Sequence, residues 1–146
     1  MKTSEPPVIV LQHFSQPLET VWKAITEVLQ MRQWFFENIP DFKAEVGFQT
    51  EFNVKAPSRD FVHQWTIKGV LPLQKIIYNW KYKDLAGDSF VTFELHEKER
   101  GTRLTVTTAV IQDFPDDIPE FTRESCLEGW NYFIKERLVS FMENLP

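Results

Sequence analysis

The segment that decides the fold is residues 117–145, DIPEFTRESCLEGWNYFIKERLVSFMENL. Its small and apolar residues recur at steps of three and four, which predicts one long helix with a single apolar face. These residues are Phe121, Cys126, Gly129, Trp130, Phe133, Ile134, Leu138, Phe141, Met142 and Leu145. Asp117 followed by Glu120 resembles a capping box, so the helix is predicted to begin at Asp117. About 28 residues would give a rod of roughly 40 Å, long enough to cross a small sheet.

The region from Phe42 to Ile111 changes to a period of two, which is typical of strands with one covered face. Its predicted inward residues are Phe48, Thr50, Phe52 and Val54; His63, Trp65, Ile67 and Leu71; Ile76, Tyr78, Trp80 and Tyr82; Val91, Phe93 and Leu95; and Leu104, Val106, Thr108 and Val110. Short connections favour pairing in chain order. With a first strand near residues 8–14, we expect a curved antiparallel sheet of about seven strands.

Two short helices are predicted between the first strand and the rest of the sheet. Leu18, Val21, Trp22, Ile25 and Leu29 repeat at helical spacing and predict the first helix. Met31, Trp34 and Phe35 predict a second, which Pro40 ends. The order of elements predicts an α+β fold in one domain over residues 1–146, with the terminal helix covering the concave face of the sheet.

Charge and hydropathy exclude several partners. The net charge is −5, and residues 113–146 carry all of it, with 3 Lys and Arg against 8 Asp and Glu. An acidic helix face disfavours contact with phosphate backbones, so neither nucleic acid nor an anionic membrane is an expected partner. This face is either a solvated surface or a docking surface for a basic partner. No run of 18 apolar residues and no signal peptide is present, so we expect a cytoplasmic protein without membrane insertion.

Several local strings resemble the heat-shock protein 90 ATPase activator homologue family, within the SRPBCC, START or birch-pollen-allergen-like superfamily. They are VWKAIT at 21–26, WF at 34–35, GVL at 69–71, IYNW at 77–80, VTFEL at 91–95, GTRL at 101–104 and GW at 129–130. The resemblance implies a helix-grip fold, in which a seven-stranded antiparallel sheet wraps around a long C-terminal helix. The family often has two glycines before the third strand. Here Gly47 stands alone, which leaves the subfamily open.

The resemblance also implies a cavity between sheet and helix, which in relatives takes lipids, sterols or polyketides. A minority of the superfamily are cyclases or related enzymes. The founding family members help a chaperone to hydrolyse ATP. The resemblance therefore implies a ligand-binding, an enzymatic or a chaperone-related function.

Direct signs of catalytic chemistry are lacking. His13, His63 and His96 lie on separate predicted strands, while a zinc site needs three or four converging ligands, so no metal is predicted. Cys126 lies between two glutamates that oppose thiolate formation, which favours a small buried side chain over a nucleophile. The five glycines are scattered and form no phosphate-binding loop, so no cofactor is predicted.

Three residues keep two interpretations each. His63 shares a face with Trp65 and is either a structural group or a ligand or proton carrier. Gly129 interrupts a helix, at a cost of roughly 1 kcal/mol relative to alanine, which indicates close approach of a sheet aromatic or of a ligand. Ser125 either contacts a ligand or bonds back to the helix backbone.

The predicted site is a group of inward-facing aromatic and polar residues. A few polar groups in an aromatic wall favour a small-molecule pocket, although the 13 Phe and 5 Trp could also fill the space completely. The candidate ligand-binding residues are Phe52, His63, Trp65, Tyr78, Trp80, Phe93, Thr108, Ser125, Gly129, Trp130 and Phe133. We expect Trp130 to lie over the deepest part of the concavity.

Three functions fit these predictions. The first is binding of a small, largely apolar molecule, lipid-like or aromatic, without catalysis. The second is a chaperone-interaction module that needs no ligand. The third is a cyclase-like enzyme that uses His63 or a tyrosine as an acid-base group. The identity of the ligand and the oligomeric state stay open.

Overall fold

The structure is a computed structural model that describes all residues from 1 to 146. The strands are β1 (Val8–Phe14), β2 (Gln49–Lys55), β3 (Asp60–Leu71), β4 (Lys75–Tyr82), β5 (Asp88–Lys98) and β6 (Gly101–Gln112). Helices α1 (Leu18–Thr26) and α2 (Val28–Trp34) follow β1. A short 3₁₀ turn (Pro119–Phe121) precedes the terminal helix α3, which comprises the consecutive segments Arg123–Trp130, Asn131–Leu138 and Val139–Glu143.

The six strands form one antiparallel sheet in the order β1-β6-β5-β4-β3-β2. Helix α3 lies against the concave face, so the predicted α+β helix-grip fold is confirmed. The sheet has one strand fewer than the predicted seven, because no strand forms between Phe42 and β2. There the buried Phe42 packs over the concave face of the sheet, with its ring stacked on Tyr78.

Helix α3 begins later than predicted. Thr122 is its N-cap, and its hydroxyl oxygen accepts the backbone N–H of Ser125 at 3.1 Å. The predicted capping box at Asp117 is wrong, because Pro119 opens a separate 3₁₀ turn and Glu120 bonds to Ser58 in the β2–β3 turn. The helix therefore has 21 residues and a length of about 30 Å.

The middle of α3 is a π-helix, Asn131–Leu138. Each amide of a π-helix bonds five residues back, which widens the turn relative to an α-helix. The buried residues of α3 are Trp130, Ile134, Leu138 and Met142, one every fourth position. The wider turn keeps this row of side chains pointed at the sheet.

Two predicted inward residues are exposed. Helix α1 ends at Thr26 because Glu27 is extended, so Leu29 belongs to α2 and is 70% exposed. A β-bulge between Ile67 and Gly69 inserts one extra residue, so the side chains of β3 after it point to the opposite face from the one predicted. Leu71 is consequently 52% exposed.

Candidate functional site

The concave face of the sheet is divided into a filled half and a cavity. Phe35, directly after α2, is the centre of the filled half. Its ring lies 4.7 Å from that of Trp34, 5.5 Å from that of Trp65 and 6.3 Å from that of Phe93. These distances are those of directly packed aromatic rings, so Phe35 leaves no room for a guest over the middle of the sheet.

Phe42 completes the filled half. Its ring is stacked on Tyr78 at 5.7 Å, and Tyr78 packs edge-on against Trp65 at 5.1 Å. Tyr78 and Trp65 are fully buried. The Tyr78 hydroxyl and the Trp65 indole N–H have no hydrogen-bond partner, which is costly for a buried polar group.

The cavity lies beside the filled half, between strands β3 to β6 and the first half of α3, and has a volume of about 160 Å³. Most of its wall is apolar. Its lining residues are Met1, Phe36, His63, Trp80, Tyr82, Ser89, Val91, Thr108, Phe114, Glu120, Phe121, Ser125, Cys126, Gly129, Trp130 and Phe133.

Seven of the eleven predicted site residues line this cavity, namely His63, Trp80, Thr108, Ser125, Gly129, Trp130 and Phe133. The other four, Phe52, Trp65, Tyr78 and Phe93, are buried outside its wall. They face the concave side as predicted, but aromatic side chains from α2 and the following loop cover them. The sequence analysis did not predict that side chains of α2 and the following loop would lie over the sheet.

His63 presents a free acceptor at the cavity wall. Its Nδ1 lies 3.1 Å from the Phe61 carbonyl, which can only accept, so Nδ1 carries the hydrogen and Nε2 keeps a lone pair. Burial lowers the pKa of His63 to about 4, only partly opposed by the bond to Phe61. The ring is therefore neutral at pH 7, and Nε2 has no partner within the protein.

Tyr82 presents a free donor. The Trp80 indole N–H donates to the Tyr82 hydroxyl oxygen at 3.0 Å, which leaves the hydroxyl hydrogen available. Burial raises the pKa of Tyr82, so the phenol is protonated at neutral pH. In the alternating pattern of β4, Tyr82 occupies an inward-facing position, so its place in the cavity wall could be predicted from the sequence.

Some of the other polar groups of the wall are engaged within the protein, but the Thr108 hydroxyl keeps its hydrogen and the Ser125 hydroxyl makes no hydrogen bond, so the interpretation that Ser125 bonds back to the helix backbone is wrong. The Trp130 indole N–H donates to the Thr108 hydroxyl at 2.8 Å, and the Ser89 hydroxyl donates to the Trp80 carbonyl at 2.7 Å. Burial raises the pKa of the Cys126 thiol, so it stays protonated at neutral pH, as its sequence context predicts.

Gly129 lies beside open space. A methyl group at this position would meet no atom within 4 Å. The interpretation that a sheet aromatic packs on Gly129 is therefore wrong, and the residue instead forms part of the cavity wall.

Met1, Phe114, Glu120 and Phe121 also line the cavity and are joined to one another and to the β2–β3 turn by hydrogen bonds. The Met1 ammonium donates to the Phe121 carbonyl, and the Phe114 N–H donates to the Met1 carbonyl at 2.9 Å. Glu120 accepts the Ser58 hydroxyl at 2.6 Å, a bond that lowers the pKa of its carboxyl group. Sequence reasoning missed these residues because the contacts join segments far apart in the chain. By contrast, Ser89 and Val91 lie at inward positions of the alternating pattern of β5, and Cys126 lies on the apolar stripe of α3, so these three could be predicted from the sequence.

The lining has little capacity for charge chemistry. Its charged groups are the Met1 ammonium, bonded to the Phe121 carbonyl, and the Glu120 carboxylate, bonded to Ser58, and it contains no lysine or arginine. No three His, Cys, Asp or Glu side chains converge in a way that could hold a metal ion. None of the helices combines the length and the apolar character needed to cross a bilayer.

Solved structures share this fold over almost their full length. A crystal structure from Chromobacterium violaceum is 22% identical, with a TM-score of 0.78, and the match covers 95% of this chain and 98% of that one. One from Mesorhizobium loti is 27% identical, with a TM-score of 0.75 and coverage of 97% and 99%. A solution structure from Bacillus halodurans is 26% identical, with a TM-score of 0.72 and coverage of 94% and 97%.

A search of the curated proteins returns no match. A family profile described as "Activator of Hsp90 ATPase homolog 1-like protein" matches residues 15–143. This match extends from the end of β1 through α3 and includes every strand that lines the cavity. The chain therefore belongs to the Activator of Hsp90 ATPase homolog 1-like protein family.

Proposed function

We propose that this protein binds a small, largely apolar molecule in the cavity between the sheet and α3. The observation that carries the proposal is a hollow of about 160 Å³ in a concave face that is otherwise packed with aromatic rings. An engineered apolar cavity of about 150 Å³ in another protein holds benzene. The cavity therefore fits a guest of about one ring, and a lipid-sized guest would require Phe35 or Phe36 to move.

The chemistry of the wall favours binding over catalysis. Nucleophilic catalysis needs an activated nucleophile within hydrogen-bond reach of a base. Burial keeps the Cys126 thiol and the Tyr82 phenol protonated. His63, with its pKa lowered to about 4, is neutral at pH 7, which argues against His63 as a general acid in the cyclase alternative.

Calorimetric titration with toluene tests the proposal. Gly129→Leu should place a side chain in the open space beside Gly129 and abolish toluene binding that the wild type shows. Glu128→Leu is the matched control, because it adds the same side chain at the neighbouring, exposed position of the helix and should leave binding intact. The proposal fails if the wild type does not bind toluene, or if Gly129→Leu folds normally and still binds it with unchanged affinity.

The alternative of a chaperone-interaction module is supported by the description of the family, which refers to activators of a chaperone ATPase. It predicts that the ligand-free protein binds heat-shock protein 90 and raises its ATPase rate. An unchanged rate, together with toluene binding that Gly129→Leu abolishes, would favour the small-molecule function.

A further inference from the structure

Two free hydrogen-bonding groups meet at one place in the cavity wall. His63 on β3 and Tyr82 on β4 are directly paired across the two strands. Their rings lie 4.8 Å apart and nearly perpendicular, at 82°. Both residues line the cavity, so the two groups border the same space.

His63 lacks a hydrogen-bond donor, and Tyr82 lacks a hydrogen-bond acceptor. His63 is 6% exposed, and its Nε2 lone pair has no donor, because the ring hydrogen on Nδ1 is committed to the Phe61 carbonyl. The Tyr82 oxygen accepts from Trp80, but the Tyr82 hydrogen has no acceptor in the protein. A guest that forms direct hydrogen bonds with both groups should therefore gain affinity over a guest that forms none.

The other hydroxyl groups of the wall lie on other elements, with Ser89 on β5, Thr108 on β6 and Ser125 on α3. The hydroxyl of Ser89 donates to a backbone carbonyl, and that of Thr108 accepts from Trp130. At the edge where His63 and Tyr82 meet, a free acceptor and a free donor are direct cross-strand neighbours.

Building on the proposed function, we propose that the guest is a neutral single-ring phenol whose hydroxyl group donates to His63 Nε2 and accepts from the Tyr82 hydroxyl. A hydroxyl is the smallest group that can do both. A carbonyl or ether oxygen can only accept, which leaves Nε2 unpaired. A carboxylate can only accept, so it leaves Nε2 unpaired, and its negative charge would lose hydration in a largely apolar wall.

The aromatic part of the guest follows from the walls next to this edge. The Phe36 ring lies 4.9 Å from His63 and 4.9 Å from Phe133, and Trp80 lies 5.6 Å from His63. These rings surround the polar edge with aromatic faces and edges, against which a planar ring packs better than a flexible chain. The volume of about 160 Å³ limits the guest to about one such ring.

Titration calorimetry at pH 7 with p-cresol, anisole, toluene and benzoate tests this inference. p-Cresol and anisole are isomers, but anisole has no hydrogen to donate. The wild type should bind p-cresol roughly tenfold more tightly than either anisole or toluene, which corresponds to one or two net hydrogen bonds. Benzoate should bind more weakly than toluene.

Two variants locate the hydrogen bonds. Tyr82→Phe and His63→Phe should each remove most of the roughly tenfold preference for p-cresol over toluene, with both affinities measured for each variant. Tyr132→Phe is the matched control, because this tyrosine is exposed on α3 and outside the cavity wall, and it should change neither affinity. The isomer comparison needs only the wild type, so it stands even if a variant fails to fold.

The outcomes separate this inference from the proposed function. If toluene binds but p-cresol and anisole bind equally well, the phenol inference is overturned and the proposed function stands. The same holds if p-cresol binds more tightly but neither variant in the pair removes the difference. If neither toluene nor p-cresol binds, the proposed function and this inference both fail.

Discussion

The two halves of the concave face are built from the same strands but have opposite character. Trp65 on β3 and Trp80 on β4 are cross-strand neighbours, with ring centres 5.0 Å apart. Trp65 is sealed beneath Phe35, whereas Trp80 borders the cavity. The sheet alone does not decide which half is hollow. The decisive element is the segment after α2, whose aromatic side chains cover one half and stop short of the other.

The difference extends to polar groups. In the filled half, the Trp65 N–H and the Tyr78 hydroxyl are buried without partners and lie outside the cavity wall. In the cavity wall, the unpartnered groups of His63 and Tyr82 border open space. The cost of a buried unpaired group is therefore confined to the filled half, whereas a guest in the cavity can pair with the free groups of its wall.

The substitution expected to change the filled half most is Phe35→Ala. Removing a buried phenylalanine at the centre of the filled half should lower the free energy of unfolding by about 3 to 5 kcal/mol, measured by urea denaturation. Because the Phe35 ring contacts Trp130 and Phe133, which line the cavity, the new space should join the cavity. The variant should then bind naphthalene, which the wild type should not.

The control for this change is Phe90→Ala. Phe90 is half-buried on the outer face of β5, away from the cavity, so its loss should cost less and should not create naphthalene binding. A loss of less than about 1 kcal/mol in Phe35→Ala would mean that Phe35 does not fill the concave face as described.

Acid should act on the cavity wall through His63. Its pKa is about 4 in the folded protein against 6.5 for an ordinary histidine, so between these pH values the unfolded chain binds a proton that the folded protein does not. Stability therefore falls as pH is lowered through this window, by roughly 3 kcal/mol in total and about 2 kcal/mol by pH 5.

Urea denaturation at pH 7, 6 and 5 measures this effect. Asp113 and Glu120, whose pKa values are lowered by hydrogen bonds, remain charged over that range. His63→Phe is the control and should flatten the pH dependence. An equally steep loss of stability in this variant would place the acid-sensitive group elsewhere.

Trp130 joins the two halves, because its ring lies 5.9 Å from Phe35 and 5.6 Å from Trp80. Trp130→Phe removes the hydrogen bond to Thr108 and part of the ring, which should cost about 1 to 2 kcal/mol of stability. It should also change toluene affinity in calorimetry. Trp22→Phe, a half-buried tryptophan of α1 outside the cavity wall, should affect stability without changing toluene affinity. Unchanged toluene affinity in Trp130→Phe would argue that Trp130 belongs to the core alone.

Most of the fold was predictable because it rests on periodicity. Alternation gives the inward residues of β4, β5 and β6, and the helical stripe of α3 gives Trp130, Ile134, Leu138 and Met142. The errors lie where a single residue interrupts the periodic pattern of a strand or helix. The bulge before Gly69 moves Leu71 outward, and the extended Glu27 divides the first predicted helix.

The candidate site was predictable only as a face, not as a cavity. Periodicity indicates that both Tyr78 and Tyr82 point inward, but not that Phe42 stacks on Tyr78 while Tyr82 borders a hollow. That distinction depends on the irregular loop before β2, whose path has no periodic signal. The contact of Met1 with Phe121 spans nearly the whole chain and leaves no local pattern either.

The smallest effect expected is at Tyr78, and its sign sharpens the contrast between the halves. The Tyr78 hydroxyl is fully buried and unpaired, so Tyr78→Phe should leave stability unchanged or raise it by up to about 1 kcal/mol. Tyr82→Phe should instead lower stability by about 1 kcal/mol, because it leaves the Trp80 N–H without its acceptor. Urea denaturation of the two variants at pH 7 compares the same chemical change on each side of the concave face. If Tyr78→Phe were destabilising by as much as Tyr82→Phe, the Tyr78 hydroxyl would have a partner, and the filled half would not be dry.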